Sequence, residues 1–112
     1  MGESKKLLNY KNFDKQNKII IGKNSTISND ANLFGPIIIG NDCKINSNVK
    51  LGPYVTIGNN TDIENSVIKN SIIMKNCKIS SNTTLQNSII GENCKILKVN
   101  QSNLILAENS II

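Results

Sequence analysis

Histidine, arginine and tryptophan are missing from this chain of 112 residues, and only two tyrosines, two phenylalanines and two prolines occur in it. Without histidine there is no Ser-His-Asp or Cys-His relay and no three-histidine zinc site. The lack of arginine removes bidentate contacts to phosphate or guanine, and 4% aromatic residues leave little surface on which bases could stack. No apolar run approaches the ~20 residues that cross a bilayer. The N-terminal MGESKKLLNYKNF also lacks the apolar core of a signal peptide. The expected compartment is therefore the cytoplasm, without membrane association. The sequons at Asn24, Asn59, Asn82 and Asn100 would matter only in a secreted protein.

Charge is present but unfocused. Thirteen lysines against eight acids give a net +5, five of those lysines fall in the first 18 residues, and the rest alternate with Asp and Glu. Such a pattern argues for solubility and not for a nucleic-acid surface.

Isoleucine and asparagine dominate instead, at 20 residues each. Ile suits a stiff, half-buried strand position, and Asn is one of the few side chains that tolerate a left-handed backbone at a turn. Aliphatic anchors recur at Ile21, Ile27, Leu33, Ile39, Ile45, Leu51, Ile57, Ile63, Ile68, Ile73, Ile79, Leu85, Ile90, Ile96, Leu106 and Ile112. Most steps are six residues, a few are five, and neither helix nor ordinary strand has that period. The ten residues between Ile96 and Leu106 fit either two five-residue steps with Gln101 at the missing anchor or a small loop.

A longer period lies over the first. The blocks GKNSTI, GNDCKI, GNNTDI, MKNCKI, GENCKI and AENSII align with one another, so three short strands make one coil. Their third residues, Asn24, Asp42, Asn60, Asn76, Asn93 and Asn109, are expected to stack as turn residues at one corner. Gly22, Gly40, Gly58 and Gly91 head the same blocks and read as permissive corner residues, because Met74 and Ala107 fit the same column. Two places before each anchor stands a small or β-branched residue, which alternation turns inward with it. Cys43, Cys77 and Cys94 share that column with Ser25, Thr61 and Ser110, so the three thiols read as packing and not as a metal or disulfide set.

The residue before each anchor faces outward. One face carries Ile20, Ile38, Thr56, Ile72, Ile89 and Ile105, the second Thr26, Lys44, Asp62, Lys78, Lys95 and Ile111, and the third Asn32, Lys50, Val67 and Thr84. The first, apolar stripe is the expected protein interface. Residues 1–18 lack the repeat; Leu7, Leu8, Tyr10 and Phe13 among charges suggest a short amphipathic helix or linker that covers the open first rung, ahead of a domain spanning 19–112.

The [Ile/Leu/Val]-Gly-x-x-small-x pattern over residues 21–112 resembles the hexapeptide repeat of left-handed parallel β-helices. That resemblance implies an all-β solenoid of five to six triangular coils and supplies its hand. Known acyltransferases of this fold generally use a histidine base and the γ-class carbonic anhydrases a three-histidine zinc, neither of which this chain can provide. The GP-x-x-x-IG phrase at Gly52–Gly58, the shortened E/K-N-S-[VI]-I steps and the closing LAENSII resemble the C-terminal domain of long-form sugar-phosphate nucleotidyltransferases. Glucose-1-phosphate thymidylyltransferases are the most similar, mannose-1-phosphate guanylyltransferases next.

The resemblance implies a non-catalytic oligomerisation and regulatory module of nucleotide-sugar biosynthesis. It implies homo-oligomers, trimeric or dimer-based, a nucleotidyltransferase catalytic domain as a further partner, and no catalytic, cofactor or metal residue. A free-standing hexapeptide-repeat scaffold and a His-less acyltransferase-like protein are the alternatives.

Overall fold

β-branched residues interrupted by asparagine give strands of two to four residues and sharp corners between them. The structure is a computed structural model and describes residues 18–112. Its first coil comprises β1 (Ile19–Ile21), β2 (Thr26–Ile27) and β3 (Asn32–Leu33), and its second β4 (Ile37–Ile39), β5 (Lys44–Ile45) and β6 (Val49–Leu51). The third coil is β7 (Val55–Ile57), β8 (Asp62–Ile63) and β9 (Ser66–Lys69); the fourth is β10 (Ser71–Ile73), β11 (Lys78–Ser80) and β12 (Thr83–Gln86). The fifth holds β13 (Ile89–Ile90), β14 (Lys95–Leu97) and β15 (Asn100–Ser102), and β16 (Ile105–Leu106) opens a sixth.

Every third strand stacks on the last, all in parallel. The first sheet runs β1-β4-β7-β10-β13-β16, the second β2-β5-β8-β11-β14 and the third β3-β6-β9-β12-β15. These three sheets are the walls of a β-solenoid of about five turns, and among the described residues there is no helix. The expected register holds: Ile39, Ile57 and Ile73 pair in sequence, and so do Ile45, Ile63, Ile79 and Ile96. The open question at residues 97–105 is settled in favour of two five-residue steps, because β15 pairs with β12 and sets Gln101 opposite Leu85. The cap or linker expected over residues 1–18 lies, Lys18 apart, outside the described residues.

The anchors fill the prism. Ile39, Ile45, Leu51, Ile57, Ile63, Ile68, Ile73, Ile79, Leu85, Ile90 and Ile96 are fully buried, while Ile21, Ile27, Leu33 and Leu106 in the outermost coils are partly so. Beside them the small inward column binds one coil to the next. Ser25 Oγ donates to the Gly40 carbonyl (2.7 Å), and the Cys43, Cys77 and Cys94 thiols donate to the carbonyls of Gly58, Gly91 and Ala107 (3.1 Å each). Thr61 Oγ1 reaches the Met74 carbonyl at 3.2 Å. A thiol and a hydroxyl therefore do the same work in one column, and among the described residues no buried side-chain nitrogen or oxygen lacks a partner.

The corner residues adopt the left-handed conformation expected of them, with φ of 60° at Asn24, 58° at Asp42, 61° at Asn60, Asn76 and Asn93 and 64° at Asn109. The reading of the glycines as merely permissive needs correction. A Cβ on Gly58 would stand 2.5 Å from the Lys75 amide nitrogen, and one on Gly91 2.6 Å from that of Glu108. At Gly22 and Gly40 it would strike the Asn41 and Asn59 side-chain oxygens. Backbone approach between coils demands glycine at these four positions, a requirement that a column also holding Met74 and Ala107 hides in the sequence.

The three cysteines are free and buried, and burial pushes the Cys77 thiol up from its ordinary pKa. With their sulfur atoms shut away from reagent, all three should resist alkylation in the native protein and react together on unfolding. Mass spectrometry after iodoacetamide treatment should show native modification about 100-fold slower than in guanidinium. Rapid native labelling of even one cysteine would contradict the inward register.

Candidate protein interface

Alternation along each strand turns one residue outward, and parallel pairing carries that position from coil to coil. On the first sheet the result is a single file: Ile20 pairs with Ile38, Ile38 with Thr56, Thr56 with Ile72, Ile72 with Ile89 and Ile89 with Ile105. All six residues expected at the interface therefore lie on one face. Ile20, Ile38, Ile72 and Ile89 are 40–49% exposed, and Ile105 on the outermost strand reaches 78%.

The other faces are chemically different. The second sheet sets Lys44, Asp62, Lys78 and Lys95 in its outward file, and the third mixes Asn32, Lys50, Val67 and Thr84. Charged heads there remain in water at no cost, whereas the first file has no charge to solvate.

The borders of the apolar face are unequal. Where the third sheet turns into the first, Tyr54 stands at φ 63° with 61% of its surface exposed. Met74, 40% exposed, marks the opposite border. Between the Tyr54 side and the isoleucine file runs a groove of about 710 Å³, from Lys18 and Ile20 in the first coil, past Tyr54 and Thr56, to Asn87 and Ile89 in the fifth. The sequence reading missed both Tyr54 and the groove. Their one signal was an aromatic residue directly after Pro53, at a corner where the later coils place Asn70, Asn87 and Asn103.

Asparagines hold the corners in a second way that the sequence reading also missed. The Lys23 amide donates to Asn41 Oδ1 and the Asn41 amide to Asn59 Oδ1, both at 2.8 Å. Asn60 Nδ2 donates to Asn76 Oδ1 at 2.9 Å. The corner column read from sequence is therefore structural. Asp30 serves a similar end, since the Ser28 hydroxyl 2.6 Å away holds its carboxyl below the usual carboxylate range. Among the described residues no three His, Cys, Asp or Glu side chains gather as metal ligands, and no helix is long and apolar enough to cross a membrane.

A search of curated proteins returns no match. Among solved structures, the CcmM N-terminal domain in complex with CcmN is similar at 12% identity and a TM-score of 0.49, over 89% of this chain and 85% of that one. The family model described as the GMPPB C-terminal domain matches residues 33–112, from the end of the first coil through the last residue. With nearly all of the solenoid inside that match, the chain belongs to the GMPPB C-terminal domain family, the left-handed β-helix domain associated with sugar nucleotidyltransferases.

Proposed function

We propose that residues 19–112 are the oligomerisation and regulatory domain of a sugar-1-phosphate nucleotidyltransferase of nucleotide-sugar biosynthesis, working in the cytoplasm and not itself catalytic. Residues 1–18 join it to, or cap it against, what precedes it. The domain brings copies of itself together, as a trimer or a dimer-based assembly, and so sets the arrangement of attached catalytic domains. The observation that carries this reading is the charge-free file Ile20, Ile38, Thr56, Ile72, Ile89 and Ile105, held in register across six strands on one wall of three. An apolar surface of that length is costly in water and is covered by association.

Replacing Ile38 and Ile72 together by lysine tests it. Both positions point outward, so the fold tolerates the change, but two ammonium groups in the contact would require desolvation without partners. Light scattering after size exclusion should show the oligomer reduced to monomers, with unchanged circular dichroism. An oligomer of undiminished mass would sink the reading.

A further inference from the structure

We infer that copies of this chain associate side by side and parallel, about an axis that runs along the solenoid, with Tyr54 of each seated against Thr56 and Gly58 of the next. This rests on the oligomerisation proposed above and gives that contact its direction and its anchor. Three observations lead there. The first is area. A strip three residues wide over six strands about 4.8 Å apart covers roughly 290 Å² in plan, and one five residues wide roughly 480 Å². A stable interface takes at least ~600 Å² of accessible surface from each partner. The isoleucine file alone falls far short, so the contact has to include the corner residues on both sides of it, whose side chains add to the plan area.

The second is the unlike bulk of those two borders. Where the chain enters each strand of the first sheet stand Lys18, Pro36, Tyr54, Asn70, Asn87 and Asn103, and where it leaves stand Gly22, Gly40, Gly58, Met74, Gly91 and Ala107. Both columns belong to the stacked wall: the Ser71 amide donates to the Tyr54 carbonyl at 3.0 Å, and the Gly58 amide to the Ile73 carbonyl at 2.7 Å. The entry border has a side chain beyond Cβ in every coil, the exposed Tyr54 being the largest. The exit border is glycine or alanine except at Met74. In the third coil the row reads Tyr54, Thr56, Gly58, so the bulkiest residue of the face and its barest ground share one level.

The third is the groove. Entry-border residues and the isoleucine file line it, and no exit-border residue does, so it lies to one side of the face. Two such faces joined with their solenoids antiparallel would set bulk against bulk at one border and glycine against glycine at the other. That wedge holds the faces apart and leaves the groove walls unpacked. With the solenoids parallel, rotation about the shared axis brings the entry border of one copy onto the exit border of the next, coil opposite like coil. Tyr54 then meets Thr56 and Gly58, and Met74 comes opposite Asn70 at the groove, where its unbranched side chain adapts to an irregular space. Lys18, the one charged residue of the face, comes opposite Gly22. The pairing closes as a two-fold dimer or a three-fold ring.

Tyr54→p-benzoylphenylalanine in the full chain tests the arrangement, with isotope-labelled and unlabelled chains mixed before irradiation and cross-linked peptides identified by mass spectrometry. Cross-links between copies to Thr56, Gly58 or Met74 are the expected result. Cross-links between copies to the entry border, at Pro36, Asn70 or Asn87, would overturn it, as would an oligomer that yields none between copies. Tyr54→Ala should weaken self-association about 30-fold, the loss of an aromatic anchor. Tyr54→Phe should stay within about twofold, because the ring supplies the contact. Sedimentation velocity over a dilution series reads both, and a Tyr54→Ala chain that associates as tightly as the parent would remove the anchor. The two readings fail differently. An oligomer that Ile38→Lys with Ile72→Lys disperses, but whose cross-links reach the entry border, sinks the parallel arrangement alone; a chain that stays monomeric at every concentration sinks both.

Discussion

Ile57→Ala is expected to lower the free energy of unfolding by about 2–5 kcal/mol, the range for a large core aliphatic whose cavity cannot close. Ile57 sits in the third coil at 1% exposure, stacked between Ile39 and Ile73. The coils on either side cannot sink into the space. The Gly40 amide donates to the Ile57 carbonyl at 2.8 Å and the Gly58 amide to the Ile73 carbonyl at 2.7 Å, so the backbone spacing is set independently of the side chain. A solenoid is also quasi-one-dimensional, and weakening its middle uncouples the coils on one side from those on the other. Ile21→Ala, in the partly buried first coil, should cost less than half as much. Urea unfolding of both variants followed by circular dichroism measures the contrast, with a lower midpoint for Ile57→Ala and a reduced slope if the halves separate. Equal losses at the two positions would contradict a core held coil by coil.

What could be read from the sequence follows from how local each requirement is. The anchor columns were legible because an inward strand position in a narrow prism accepts little except Ile or Leu, and every coil repeats the demand. Five-residue steps were legible for the same reason. Glu64-Asn65 and Lys69-Asn70 still return the next small residue to the inward side, and Asn65 and Asn70 take φ of 49° and 48° to do so. Gln101 is the exception that shows the rule. It occupies an anchor register against Leu85 but lies on the outermost strand of its sheet and is exposed, so burial no longer selects an aliphatic there.

Requirements set between coils were hidden. The left-handed turn at Asn60 depends on that residue alone, but the role of Asn59 Oδ1 as acceptor depends on an amide 18 residues away. The need for glycine at position 58 likewise depends on how closely the Lys75 backbone approaches it. For the interface, the file of outward isoleucines was legible as a pattern, since it needs only alternation and register. The groove was not, because one border of it is the exposed Tyr54 side chain, carried by the corner of Gly52, Pro53 and Tyr54.

That corner turns on Gly52, and Gly52→Ala should be among the most damaging single substitutions in the protein. Its φ of 98° lies where L side chains are strained, and a Cβ there would be driven into the Phe34 carbonyl oxygen of the coil below. The two costs act together and should reach about 3 kcal/mol or more, a fall in Tm on the order of 10 °C for a domain of this size. The carbonyl cannot easily yield. The Phe34 amide is tied to the Leu51 carbonyl and the Gly52 amide to the Ile68 carbonyl, both at 2.8 Å, so relief at one bond strains the other. Asn48→Gly is the matching control: its φ of 60° suits glycine at least as well, and its Tm should move by only a few degrees. Because Gly52 leads directly into Pro53 and Tyr54, the damage should extend beyond stability. A Gly52→Ala chain kept folded at low temperature should have the Tyr54 border of the groove displaced. A variant with unaltered Tm would mean that the corner takes its shape from some other residue.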